Sequence, residues 1–220
     1  MSRAPQVAVY ETHVIDRPLA QCRRLICSDR LDVLAHLAHP QARAASLTGD
    51  LLLCTAVRCA VPDAVFPLVR AARPSGQPYL PDFPNLHISL SHSGNTVLCA
   101  VADVPVGVDV ELPRAVRPGL AARWFDQHEQ ALIARDESVF FDLWMAKEAV
   151  LKEIGCGLAH GLRAVSVDLV PEPRLTRPVF GQLHTLTRVS LSTGMHAMVS
   201  TPGTVSPILT HTVLNMTDFL

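Results

Sequence analysis

Helix-like and strand-like patterns are mixed along this chain, and the mixture predicts an α+β protein. Apolar residues recur at helical spacing from Leu19 to about Leu37, from Ala42 to Ala60 and around Trp144 to Lys152. Leu86, Ile88 and Leu90 alternate with His87, Ser89 and Ser91, the period of a half-buried strand. The tail from Leu162 to about His211 is a series of strand-like runs. With 220 residues, 49% hydrophobic and 18% charged, there is ample material for one core or for two fused half-size lobes.

In chain order, residues 6–15 (QVAVYETHVI) read as a strand that closes on Asp16-Arg17-Pro18. The helical pattern that follows is ended by Pro40. His36 and His39 stand three apart near its end; the spacing suits a metal, but no acidic residue is in register and a polar helix face explains the pair as well. The second helix turns Leu47, Leu51, Leu52 and Val57 inward, with Arg43 and Arg58 near its ends. Proline and glycine crowd the run from Arg73 to Pro81, which predicts an irregular surface loop. A strand to Ser91, a Ser-Gly-Asn turn and a strand over Thr96–Ala102 then make a hairpin. His92, where the strand meets its turn among hydroxyls, is either an anion ligand or a structural histidine.

The next strand reads Val106-Gly107-Val108-Asp109-Val110-Glu111. The valines share one face, and Asp109 and Glu111 share the other, about 6–7 Å apart. Two carboxylates so placed either line a solvent-facing edge or seek a cation. Hard oxygen ligands in this number suit Mg²⁺, which takes one or two carboxylates and completes its shell with water and phosphate. Asp126 with Glu129 is a capping box that starts a helix. A second helix start near Asp136 leads into Trp144, and Gly155 and Gly157 end that helix.

Composition excludes several classes. A net charge of −1 gives no basic field for non-specific nucleic-acid binding. No apolar run approaches the ~18 residues of a membrane span, and the first residues lack a signal-peptide pattern, so a soluble cytoplasmic protein is expected. The six cysteines form no CxxC; Cys22 and Cys27, like Cys54 and Cys59, are five apart and point to different faces of a helix. Buried free thiols in a reducing compartment fit this better than zinc.

Of the 19 basic residues only two are lysines, Lys147 and Lys152, and both flank Glu148. A lysine is a compact, hydrated point charge that arginine does not imitate. Trp144, Glu148 and Lys152 fall on one helical stripe, which sets a carboxylate beside an ammonium. On spacing alone this is also an ordinary i,i+4 pair on a solvated face.

The ordered motifs SHSG (Ser91–Gly94), GVDVE (Gly107–Glu111) and WMAKEAVLKEIGCGL (Trp144–Leu158) resemble the large, single-chain 4′-phosphopantetheinyl transferases that activate peptide and polyketide synthases. The resemblance is strongest from Gly76 to Leu158. It implies two similar α/β lobes about a pseudo-twofold axis, residues 1–103 and 104–220, with coenzyme A in the cleft between them. It implies transfer of phosphopantetheine to a serine of an apo acyl or peptidyl carrier protein by a monomer, without membrane or nucleic acid. The metal, Mg²⁺ or Mn²⁺, would be held by Asp109, Glu111 and Glu148. Glu148 would serve as base and Lys152 would meet the reacting phosphate, with Lys147 in support. His92 and Ser91 would contact a coenzyme phosphate. The rival readings are a non-catalytic carrier-binding relative and another Mg²⁺-dependent phosphohydrolase.

Two departures stand out. Gln77 replaces a lysine that the family often places on a coenzyme phosphate, so weaker coenzyme binding or compensation by Arg73 is expected. The family's arginine before a Ser-Leu pair is Ala45 here, and Arg43, two residues early, is the remaining candidate for that contact.

Overall fold

The computed structural model describes residues 3–157 and 161–215; Leu158, at the end of the family-like stretch, lies outside them. The first half contains β1 (Gln6–His13), a short 3-10 turn at Leu19–Cys22, α1 (Ser28–Ala35), α2 (Pro40–Ala60), β2 (Ala71–Ala72), β3 (Pro78–Tyr79), β4 (His87–Ser93) and β5 (Thr96–Ala102). The second contains β6 (Gly107–Asp109), α3 (Leu120–Trp124), α4 (Gln127–Arg135), α5 (Val139–Ile154), β7 (Val167–Asp168), β8 (Arg174–Leu175), β9 (His184–Ser190), β10 (His196–Pro202) and β11 (Ile208–Val213). The mixed α/β character follows the sequence pattern.

Alternation along the strands sorts the side chains into layers. In the sheet β11-β1-β5-β4, Tyr10, Ile88, Val97, Cys99 and Val101 pack against Leu47, Leu51 and Leu52 of α2. Val7, Val9, Leu98 and Ala100 point the other way and meet Val106, just before β6, and Val108, Val189 and Val199 of the sheet β6-β10-β9. Met198, on the far face of that second sheet, joins the α5 core of Phe140, Leu143 and Val150. The order is therefore helix, sheet, sheet, helix. β11 leaves the second half of the chain and pairs in parallel with β1, so residues from both ends share one sheet.

Three local expectations are corrected. The single helix from Leu19 to Leu37 is two pieces, because Ile26 bridges to Leu68 and Leu68 N–H donates to Leu25 O at 2.8 Å, which holds the intervening chain extended. Pro40 does not end a helix; it opens α2, where its missing N–H costs nothing. The loop from Arg73 carries regular structure after all, a two-residue ladder of Ala71–Ala72 with Pro78–Tyr79. The capping box of Asp126 and Glu129 forms as read, and Gly155 ends α5 in the left-handed region at φ 73°.

Candidate active site

Gly107 fixes where α5 lies. A Cβ at this position would stand 1.8 Å from Ala149 O and 2.7 Å from Glu153 N, so the helix backbone rests directly on β6. Gly107, Asp109 and Glu111 occupy the strand face that meets α5, and the helix presents Met145, Glu148 and Lys152 to them, one turn apart. Met145 Sδ accepts from Glu111 N–H at 3.2 Å.

The edges of the two sheets are joined by serines. Ser89, Ser91 and Ser93 alternate on β4, and their hydroxyls accept from the backbone N–H groups of Val108 (3.0 Å), Val110 (3.3 Å) and Leu112 (2.8 Å). These hydroxyls do what carbonyls of a neighbouring strand would do, and they set β6 in register beside β4. The serines, expected on an exposed polar face, are buried for this reason.

At the centre Lys152 Nζ lies 2.6 Å from Asp109 Oδ1 and 3.9 Å from Glu148 Oε2. It also donates to Ser91 Oγ at 3.1 Å and to Val108 O at 3.2 Å. Ser91 Oγ donates to Asp109 Oδ1 at 2.7 Å. Asp109 is 2% exposed, which removes the solvent-edge reading of this strand. Burial pushes its carboxyl up, against the pull of Lys152 and the Ser91 hydrogen bond. Glu148 is pushed up from 4.5 to about 7, first by burial and then by the Asp109 charge, opposed by Lys152 and a hydrogen bond from Trp144.

These groups bear directly on a cation. Asp109 Oδ2 is buried and has no hydrogen-bond partner among the described residues, and Glu148 is repelled by the same carboxylate. Both features fit a divalent ion with oxygen ligands. Glu111 is engaged elsewhere, accepting from Arg114 at 2.8 Å and from Ser93 Oγ at 3.1 Å. Among the described residues no three Asp, Glu, His or Cys groups converge on one ion position. Carboxylates in this number are the kind of donors that suit Mg²⁺, because water and phosphate complete its shell.

A cleft of about 360 Å³ opens beside Lys152, between the Ser75–Pro78 turn, Ile88–Leu90 of β4 and the end of α5. Gln77 lines this cleft while its amide nitrogen is held by the end of α5. Its Nε2 donates to Lys152 O at 2.9 Å and to Glu153 O at 3.3 Å, satisfying carbonyls that the last turn of α5 leaves open. Arg73 sits over the Tyr79 ring at 4.9 Å and lines a separate cavity of about 220 Å³, not this cleft. His92 is exposed and borders a hollow of about 570 Å³ with His39, Pro40 and Ala42 at the start of α2. Arg43 lies in the first turn of α2, half-buried, outside the lining of both the cleft and the hollow.

The other lysine is structural. Lys147 is fully buried, with Nζ 2.8 Å from Glu129 Oε2, donating to Leu162 O and Val165 O, and 5.1 Å from the Phe125 ring centroid. Glu129 also accepts from Val167 N–H at 2.9 Å, so the pair clamps α4 and the 162–167 segment to α5. The sequence did not reveal a second buried cluster, in which Asp50 lies between Arg30 (2.7 Å) and Arg70 (2.9 Å). The signal available was Asp50 itself, a lone carboxylate in an apolar helix stretch.

The sequence profile of the 4′-phosphopantetheinyl transferase superfamily matches residues 105–195. The chain is 29% identical over 172 residues to the 4′-phosphopantetheinyl transferase ffp of Bacillus subtilis, covering 74% of this chain and 77% of the relative. It is 37% identical over 107 residues to the 4′-phosphopantetheinyl transferase psf-1 of Bacillus pumilus, covering 46% of each. A holo-(acyl-carrier-protein) synthase of Exiguobacterium sp. is 32% identical over 95 residues, 37% of this chain and 78% of the relative.

Proposed function

We propose that this chain, which belongs to the 4′-phosphopantetheinyl transferase superfamily, transfers the 4′-phosphopantetheine group of coenzyme A to a serine of an apo acyl or peptidyl carrier protein. The serine oxygen forms a bond to the pantetheine-side phosphorus, the bond from that phosphorus to the leaving diphosphate oxygen breaks, and 3′,5′-ADP departs. The observation that carries this reading is the cluster of Asp109, Glu148 and Lys152, whose lysine lines the cleft.

Phosphoryl transfer of this kind depends on positioning and on neutralising charge. Lys152 brings an ammonium to the phosphate at the reacting end. Glu148, whose carboxyl titrates at about 7, is the base that takes the serine proton, directly or through water. Asp109 and Glu148, with Glu111 beside them, would hold Mg²⁺, which when bound supplies charge neutralisation to the diphosphate. Ser91 acts by holding Asp109 and Lys152 in place, and His92 is assigned to a coenzyme phosphate from its position above the start of α2.

The residues 1–103 and 104–220 are assigned to two lobes related by a pseudo-twofold axis. Each carries a sheet with one long helix across it, α2 on the first and α5 on the second, and β11 returns to the first sheet. Both walls of the cleft come from this chain, so a monomer suffices. Among the described residues no helix is long and apolar enough to cross a membrane.

The test is intact-mass analysis of an apo carrier protein incubated with this protein, coenzyme A and Mg²⁺. A gain of one phosphopantetheine, lost with EDTA and with Glu148→Ala, is expected. Coenzyme A binding with no gain on any carrier type would refute transfer and favour a carrier-binding relative.

A further inference from the structure

Among the described residues, the cleft beside Lys152 is lined by two charged residues, Lys152 and Arg70, and by no carboxylate. Their charges are not equally compensated. Lys152 is matched closely by Asp109 at 2.6 Å. On the other wall, one carboxylate serves two guanidinium groups: Asp50 is 2.7 Å from Arg30 Nε and 2.9 Å from Arg70 Nε. Arg30 is well satisfied, since its NH2 group donates to Ser46 Oγ at 2.6 Å as well. Arg70 is not. Its Nε stands close to Asp50 without the alignment of a hydrogen bond and has no other partner among the described residues. The trio of Arg30, Asp50 and Arg70 therefore carries one surplus positive charge, and Arg70 is the member that reaches the cleft. Burial lowers its pKa, against the pull of Asp50, and the neighbouring Arg30 lowers it further, so an anion beside it would ease the cost of that burial.

Gln77 sharpens the point. Its amide is committed to the carbonyls of Lys152 and Glu153, so the 75–78 turn brings no charge to a ligand. We propose that Arg70 is a coenzyme-binding residue, which donates from its guanidinium to a phosphate oxygen of coenzyme A, with Asp50 holding the guanidinium in place. This rests on the coenzyme A reading above. The phosphate is either the 3′-phosphate or the diphosphate; both present the same anionic oxygens, and the experiment separates them.

Calorimetric titration of coenzyme A, with Mg²⁺ present, would compare the wild type with Arg70→Gln and Arg70→Lys. Losing a charge-assisted hydrogen bond predicts roughly 10- to 100-fold weaker binding for Arg70→Gln, with partial recovery in Arg70→Lys. In turnover the KM for coenzyme A rises by a similar factor while kcat changes little, a split that mere loosening of the fold does not produce. If the Arg70→Gln penalty disappears with dephospho-coenzyme A, the contact is to the 3′-phosphate; if it persists, the contact is to the diphosphate. Binding by Arg70→Gln within twofold of wild type would overturn the proposal and leave the coenzyme A reading intact, whereas a wild type that does not bind coenzyme A would remove that reading first. Should Arg70→Gln fail to fold, the native protein decides. Saturating coenzyme A should protect Arg70 from phenylglyoxal, read by peptide mass, and an unprotected Arg70 would refute the contact.

Discussion

Replacing Gly107 with alanine adds one methyl group at the point where α5 touches β6. Its Cβ would lie 1.8 Å from Ala149 O, 2.7 Å from Glu153 N and 2.8 Å from Ala149 C. All three are backbone atoms, so no side chain can rotate away, and the helix must move by more than an ångström to restore ordinary contact. Overpacking of this kind costs about 1–3 kcal/mol, and rigid backbone on both sides places this case at the upper end. For a chain of this size that is roughly a 4–12 °C fall in Tm. The effect on transfer should be larger still, because Glu148 and Lys152 ride on α5 while Asp109 stays on β6. A misplacement near 1 Å can lower a rate about 100-fold. Thermal unfolding and carrier-dependent turnover measure the two effects. Gly49→Ala is the matched control: its Cβ would meet only Val97 at 3.8 Å and Leu90 at 4.0 Å, inside α2. Helix propensity then predicts a gain of up to about 1 kcal/mol with turnover unchanged. Gly107→Ala at wild-type stability and rate would refute the idea that close backbone contact positions the site.

Lys147→Met should destabilise the fold by about 3–5 kcal/mol, because it strands a buried Glu129 carboxylate, and the double variant with Glu129→Gln should recover much of the loss in a denaturant titration. Gln77→Ala removes the donor to Lys152 O and Glu153 O, so kcat should fall several-fold while the Kd for coenzyme A stays within about twofold; a change in Kd alone would contradict the capping role. Glu148 gives a pH dependence of definite sign: its folded pKa of about 7 exceeds its ordinary 4.5, so its contribution to stability falls by at most about 3 kcal/mol as pH rises through that window. Millimolar Mg²⁺ should offset this, raising Tm more near pH 8 than near pH 5, and an equal gain at both would show that the ion does not meet Glu148.

How much of this was legible in the sequence depends on whether the physics was local. The α5 stripe of Glu148 and Lys152 is set by helical period, Asp109 on β6 by strand period, and the capping box of Asp126 and Glu129 by three-residue spacing; these stand as read, except that β6 stops at Asp109 and Glu111 lies just beyond it. Where partners lie far apart in the chain, residue type alone does not show them. Lys147, expected only in support of Lys152, is sealed against Glu129 and Phe125 while Lys152 opens on the cleft; five residues apart on a helix, they have different neighbours, and those partners were not visible in the sequence. Gln77 reads as a coenzyme-contacting residue without the family charge; it lines the cleft and also caps a helix 75 residues away, which residue type does not show. Arg70 gave no signal at all, since its importance comes from an unequal share of one buried carboxylate. The serines show the same principle acting in favour of function. A polar alternation on β4 looked like an exposed face, but it is the device that docks one sheet edge on the other, and the hydroxyl that meets Val110 N–H also meets Asp109 and Lys152. One side chain thereby joins the register of the two sheets to the charge cluster, so removal of Ser91 should disturb the site and the sheet junction together.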